Sequence, residues 1–196
     1  TQYKTVDIKQ RDWPNNHLNK CPIWCSVDLR DGNQALAEPM DSVRKMKFFK
    51  KLIDVGYKEI EVGFPSASDT DFNFIRELIN DGHIPDDVTI QVLTQSREEL
   101  IIKTIDSLKG SKNAIIHLYN STSTLQRKVV FKEDMNGIKK IATDGAKIIS
   151  DNIGILNNTN VRLEYSPESF TGTELPYALE VCEEVLDVWE ANELKP

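Results

Sequence analysis

The chain has 196 residues, enough for one domain or part of a larger one. Hydrophobic residues make up 39% and charged residues 28%, the balance of a globular protein with side chains enough for a core. A net charge of -7 argues against nucleic acid as the main partner, because phosphate backbones want clustered Lys and Arg, and no apolar run approaches the roughly 20 residues that cross a bilayer.

Residues 1–22 are polar and rich in turn formers ("RDWPNNHLNKCP") and read as an N-terminal arm. From residue 23 onward short apolar runs alternate with helical patterns. "IWCSVDL" (23–29) predicts a strand, and "DSVRKMKFFKKLIDVG" (41–56) a helix with Asp41 as N-cap and Gly56 as its stop. "EIEVGF" (59–64) predicts a strand, and 68–82 a helix capped by Ser68 or Asp69. "TIQVLTQ" (89–95) predicts a strand, and 96–110 a helix opened by a capping box, Ser96 with Glu99. "NAIIHLY" (113–119) is a fourth strand, followed by a long helix over about 133–152. "VRLEYSP" (161–167) is a fifth strand, and 174–192 a fifth helix with Pro176 tolerated in its first turn.

Strict strand–helix alternation predicts a parallel sheet with helices outside it. A doubly wound sheet and a TIM (β/α)8 barrel both fit that alternation. The polar residues favour the barrel, because they fall at the ends of strands one, two, four and five: Arg30 with Asp31, Glu61, His117 with Asn120, and Ser166 with Glu168. No GxGxxG or GxxxxGK[ST] is present to mark a nucleotide site. A full barrel takes typically about 250 residues, so 23–196 is expected to form an incomplete barrel of about five βα units. Cys21, Cys25 and Cys182 are too scattered for a disulfide framework, and Cys21 and Cys25 lack the second pair a structural zinc site wants. They fit reduced thiols of a cytoplasmic protein.

The strand ends carry the candidate chemistry. At "LRDGNQ", Asp31 offers a hard oxygen to a divalent cation, Arg30 can hold a carboxylate or polarise a carbonyl, and Gln34 adds an amide. On spacing alone the same stretch fits a strand-end turn with a surface Arg–Asp pair. His117 lies within an apolar strand and reads as a core histidine or a ligand-facing one. The polar run 120–124 lines a pocket or caps a helix, and Arg127 with Lys128 could meet an anion or simply be solvated. Ser166 and Glu168 flank Pro167, with Thr171-Gly172-Thr173 behind them as an anion-friendly helix start. Glu61 needs a partner if buried, and Arg30 on the neighbouring strand is the obvious one.

Taken together, "WCSVDLRDGNQAL", "EIEVGFPSAS", "HLYNSTSTLQRKVVF" and "EYSPESFTGTE" resemble the 2-isopropylmalate synthase family of the DRE-TIM metallolyases, from about residue 11 to the end. The resemblance implies an acyltransferase on a TIM barrel. Acetyl-CoA adds to 2-oxoisovalerate in a metal-assisted Claisen condensation, and thioester hydrolysis releases 2-isopropylmalate and CoA on the way to leucine. It implies a divalent metal cation (Mg, Mn or Zn) on Asp31 and Arg30 at the keto-acid oxygen. Gln34, His117, Ser166 and Glu168 fall around the keto acid, with Arg30 and Glu168 catalytic and Glu61 holding Arg30. A cytoplasmic homodimer of the full-length protein, without membrane or nucleic acid, is implied as well.

The family's later His-x-His metal pair has no match here, since the histidines are His17, His83 and His117. Much of the acetyl-CoA site, the catalytic base and the leucine-sensing domain lack a match too. The isolated chain is therefore expected to bind metal weakly and not to turn over. Sister enzymes such as homocitrate or citramalate synthase, or a non-catalytic barrel paralogue, are the alternatives.

Overall fold

Along most of the sheet alternate residues are apolar, and those residues meet the apolar stripes of the helices in one core. The computed structural model describes residues 19–192 and 195–196; the proposed arm over 1–22 falls mostly outside them. The strands are β1 (Cys25–Ser26), β2 (Glu59–Gly63), β3 (Thr89–Gln95), β4 (Asn113–Ser121) and β5 (Asn160–Glu168). The helices between and after them are α1 (Ser42–Val55), α2 (Asp69–Asn80), α3 (Glu98–Ser107), α4 (Met135–Asn152) and α5 (Leu175–Trp189).

The strands are all parallel and lie in the order β1-β2-β3-β4-β5. That order never reverses. Right-handed crossovers that always step the same way put every helix on the same side of the sheet, which selects the barrel over the doubly wound alternative. Ile60 and Val62, Ile90 and Val92, Ala114, Ile116 and Leu118, and Val161 face that helical layer, packed with Phe49, Phe74, Ile105, Ala146 and Val185. The intervening residues line the other, concave face. The curl is directly visible there: Arg162 of β5 is ion-paired with Glu59 of β2, across the two strands between them.

Local sequence explains most element ends. Asp41 caps α1 by accepting from the Arg44 N–H at 2.8 Å, and Gly56 ends it in the left-handed region at φ 108°. Ser68 caps α2. Three expectations are corrected. The first strand is two residues long, paired only through Cys25 and Ser26 with Glu59 and Ile60. The chain then winds into a wide helical turn, Asp28–Gly32, in which the N–H groups of Arg30, Asp31 and Gly32 all converge on the Val27 carbonyl. Fully buried Leu29 pins this turn to the core. Second, the predicted capping box does not form. Ser96 donates instead to the Ile141 carbonyl of α4 at 2.5 Å, and α3 begins at Glu98 without a side-chain cap. Third, β4 runs two residues further than predicted, to Ser121, because β5 pairs with it rung for rung as far as Ser121 opposite Glu168.

Candidate functional site

The concave face is polar, unlike the helical one. Glu61 lies at its centre, fully buried, with both oxygens engaged. Oε2 accepts from Arg30 Nε at 2.6 Å. Oε1 lies 2.8 Å from His117 Nδ1 and accepts from Gln91 Nε2 at 3.3 Å. His117 Nε2 in turn lies 2.7 Å from Ser166 Oγ and 3.3 Å from Glu164 Oε1. Each ring nitrogen faces a carboxylate, Nδ1 that of Glu61 and Nε2 that of Glu164, and the Ser166 hydroxyl donates or accepts at Nε2 according to the tautomer. A continuous chain therefore runs Arg30–Glu61–His117–Ser166 across the curled sheet.

Burial disfavours the ionised form of Glu61. The hydrogen bond from His117 and the charge and hydrogen bond of Arg30 outweigh it, and the carboxyl is held below the ordinary glutamate range. Glu61 is thus an anion that fixes a cation: Arg30 is aimed by its Nε contact and reaches Asp31 Oδ1 with Nη1 at 3.0 Å. The side chain of Asp31 is 64% exposed and opens outward.

Above this chain lies a pocket of about 310 Å³ lined by Arg30, Asp31, Gln34, Phe64, Leu93, His117, Tyr119, Ser166 and Glu168. Six of the sequence-selected residues (Arg30, Asp31, Gln34, His117, Ser166 and Glu168) share that wall, and Glu61 lies beneath it. Phe64 and Tyr119 meet edge to face, with centroids 6.1 Å apart, and make the apolar side. Burial first, and then the Glu168 carboxylate, push the Tyr119 phenol upward, so it is neutral near pH 7. Glu168 accepts from the Ser121 hydroxyl through Oε2.

Gln91, Phe64, Leu93 and Tyr119 were not selected from the sequence. Period-two register is the signal that finds Gln91, Leu93 and Tyr119; Phe64, three residues after Glu61, joins them through the register shift between Glu61 and Gly63. Gln91 is the polar residue within the apolar run "IQVL" and pairs across with Glu61, while Tyr119 shares the face of His117 two positions away. The same register corrects Asn120. It faces the helices, donating to the Ile138 carbonyl at 3.3 Å and accepting from the Tyr165 hydroxyl at 2.7 Å. Arg127 is no free anion site, because it is buried against Glu174 at 2.7 Å and 2.9 Å. The expected anion-friendly segment at Thr171-Gly172-Thr173 is a 3-10 turn, and buried Thr173 has its hydroxyl on Thr122 at 2.9 Å.

Among the described residues no three His, Cys, Asp or Glu side chains converge as a metal cluster, and no helix is long and apolar enough to cross a membrane. Cys25 is the thiol nearest the floor of the site. Burial, followed by the charges of Glu164, Glu61 and Glu59, pushes it up to about 12. Exposed Cys21 is therefore expected to take iodoacetamide at pH 8 well before Cys25 in the folded protein. Mass spectrometry of timed digests checks the order, and equal labelling would contradict it.

A polar pocket where several parallel strands end, on the concave face of a curled sheet ringed by helices, is the active-site arrangement of (β/α) barrels. Residues 21–194 match the family model HMGL-like, and the chain belongs to that family. A protein named 2-isopropylmalate synthase from Arthrobacter sp. (strain FB24) is 61% identical over 188 residues, covering 96% of this chain and 32% of that protein. One of the same name from Clostridium acetobutylicum is 56% identical over 193 residues, covering 97% of this chain and 35% of that protein. The chain thus spans about a third of the length of the curated relatives it matches. The crystal structure of a Bacillus subtilis HMG-CoA lyase superposes with a TM-score of 0.60 at 14% identity, over 85% of this chain and 55% of that one, a likeness of fold.

Proposed function

We propose that residues 23–196 are the first part of the catalytic barrel of a 2-isopropylmalate synthase, with 1–22 as an arm before it. This part would bind 2-oxoisovalerate for condensation with acetyl-CoA. The observation that carries the reading is the Arg30–Glu61–His117–Ser166 chain beneath a pocket that also holds Asp31, Gln34 and Glu168. In the reaction the acetyl methyl loses a proton and its carbon adds to the ketone of the 2-oxo acid. The ketone oxygen gains negative charge, and hydrolysis of the thioester releases CoA.

The side chains fit those demands. Arg30, held by the buried anion Glu61, presents a fixed cation to the developing alkoxide, a donor that needs no reorganisation as charge appears. Ser166, held in place by His117, and the Gln34 amide orient the keto acid. Phe64, Leu93 and Tyr119 meet its apolar side chain, with Glu168 bordering it. The Asp31 carboxylate suits a hard divalent cation such as magnesium or manganese, or zinc, as one ligand of a larger set. Such a cation would supply a Lewis acid that polarises the ketone.

The test uses the protein encoded by the complete reading frame that contains this sequence. CoA release from acetyl-CoA with 2-oxoisovalerate is measured with and without a chelator, for wild type and Asp31→Ala. Chelator-sensitive release abolished by Asp31→Ala is the expected result. Release with a different 2-oxo acid would transfer the protein to a homocitrate- or citramalate-synthase activity. Silence with every 2-oxo acid would leave a non-catalytic barrel and overturn the proposal. Residues 1–196 alone are expected to release no CoA and to show no micromolar metal binding by calorimetry.

A further inference from the structure

Glu168 is on the last rung of the β4–β5 ladder, opposite Ser121. Strand ends fray first, and the residue after Glu168 adds to that tendency. Ser169 has φ 60°, the left-handed region that a non-glycine residue adopts only under strain. The Ser121 hydroxyl holds the carboxylate itself, but the backbone that carries Glu168 needs a hold beyond the end of the ladder.

That function falls to a group the proposed chemistry does not use. Arg127 is buried, and its guanidinium lies over the Tyr177 ring, 5.0 Å from the centroid. It forks onto Glu174, Nη1 to Oε2 at 2.9 Å and Nη2 to Oε1 at 2.7 Å. Nη1 also donates to the Thr122 carbonyl at 2.6 Å. Thr122 is the hinge of the arrangement. Its N–H donates to the Glu168 carbonyl at 3.1 Å, and its hydroxyl pairs with that of Thr173 at 2.9 Å. Arg127 follows β4 and Glu174 follows β5, so the ion pair ties together the two loops that leave the pocket. The Arg127 hydrogen bond drives the Glu174 carboxyl down to about 2, so the fork stays charged at any working pH.

We infer that Arg127 and Glu174 are positioning residues, a clasp that acts through Thr122 to hold Glu168 against the 2-oxo acid. The inference rests on the proposed function for the identity of that ligand. Neither residue lines the pocket, and neither is asked to touch substrate.

Two variants of the full-length protein test it. Glu174→Gln keeps size and removes the charge at a half-exposed position. Arg127→Lys keeps the charge and removes the fork. Both are expected to raise KM for the 2-oxo acid about tenfold, with KM for acetyl-CoA unchanged. Hydrogen exchange supplies a second readout: the amides of Thr122, Gly172 and Thr173 should exchange faster in both variants, with those of β3 unaltered. A lowered melting temperature with unchanged 2-oxo acid KM would make the clasp merely structural and overturn the inference. If the wild type turns over no 2-oxo acid, the proposed function fails. Exchange then decides the clasp on its own, unchanged protection of Thr122 and Thr173 refuting it.

Discussion

Glu61→Ala is expected to cost the protein about 3–5 kcal/mol of stability, the loss that follows when one member of a buried ion pair is removed and the other keeps its charge. Glu61 is fully buried and Arg30 nearly so, with 16% of its side chain exposed. Truncation leaves that guanidinium facing His117 and Gln91 with Asp31 as its remaining counter-charge. Glu61→Gln separates charge from shape and should lose less, because an amide can still accept from Arg30. Under the proposed function both variants lose turnover as well. A guanidinium no longer aimed by its Nε contact wanders, and about 1 Å of misplacement is worth on the order of 100-fold. The pH dependence has a defined sign. A carboxyl held below its ordinary value in the folded state contributes stability at pH values above the unfolded value of about 4.3. That contribution is lost as pH falls through the lower, folded value. Urea unfolding of wild type and Glu61→Gln should therefore differ most near neutrality and converge under strong acid. A constant difference at all pH values would refute the ionised pair.

Much of this architecture was legible in the sequence, for physical reasons. Helix starts with their own caps, such as Asp41 and Ser68, declare themselves because donor and acceptor are three residues apart. β3 was bounded correctly at both ends, since a strand covered on both faces and flanked by turns leaves little choice. What failed was decided by distant partners. Ser96 had every local reason to cap α3, but a carbonyl 45 residues away in α4 took its hydroxyl. Arg127 and Lys128 read alike in the chain; Glu174, 47 residues on, buried one and left the other in solvent. The candidate site shows the same division. Its residue types and strand ends could be read, and the curl that brings β2, β4 and β5 together could not. The Glu61–His117 contact crosses a strand and spans 56 residues. The wide turn at Asp28–Gly32 was hidden because a continuous apolar run ahead of it looks like more strand.

Asp71→Ala and Lys45→Met should differ sharply although they remove opposite ends of one ion pair. Lys45 of α1 is 1% exposed, its ammonium paired with Asp71 of α2 and 5.5 Å from the centre of the Phe74 ring. Asp71 does more: its Oδ2 accepts from the Phe64 N–H at 2.8 Å, just after β2. The carboxylate packs so closely on Gly63 that a Cβ there would come within 2.8 Å of it. Asp71→Ala strands a buried ammonium and an amide at once, and about 3–5 kcal/mol is the expected loss. Lys45→Met fills nearly the same volume with an apolar stem. It leaves an aspartate that is 14% exposed and still bonded to Phe64, so its cost should stay below about 2 kcal/mol. Phe64 is also a wall of the pocket, so under the proposed function Asp71→Ala should weaken 2-oxo acid binding where Lys45→Met does not. Urea unfolding of the two variants measures the gap. Equal losses would mean that the Lys45 stem and its charge, rather than the aspartate's grip on Phe64, hold α1 and α2 to the rim of the site.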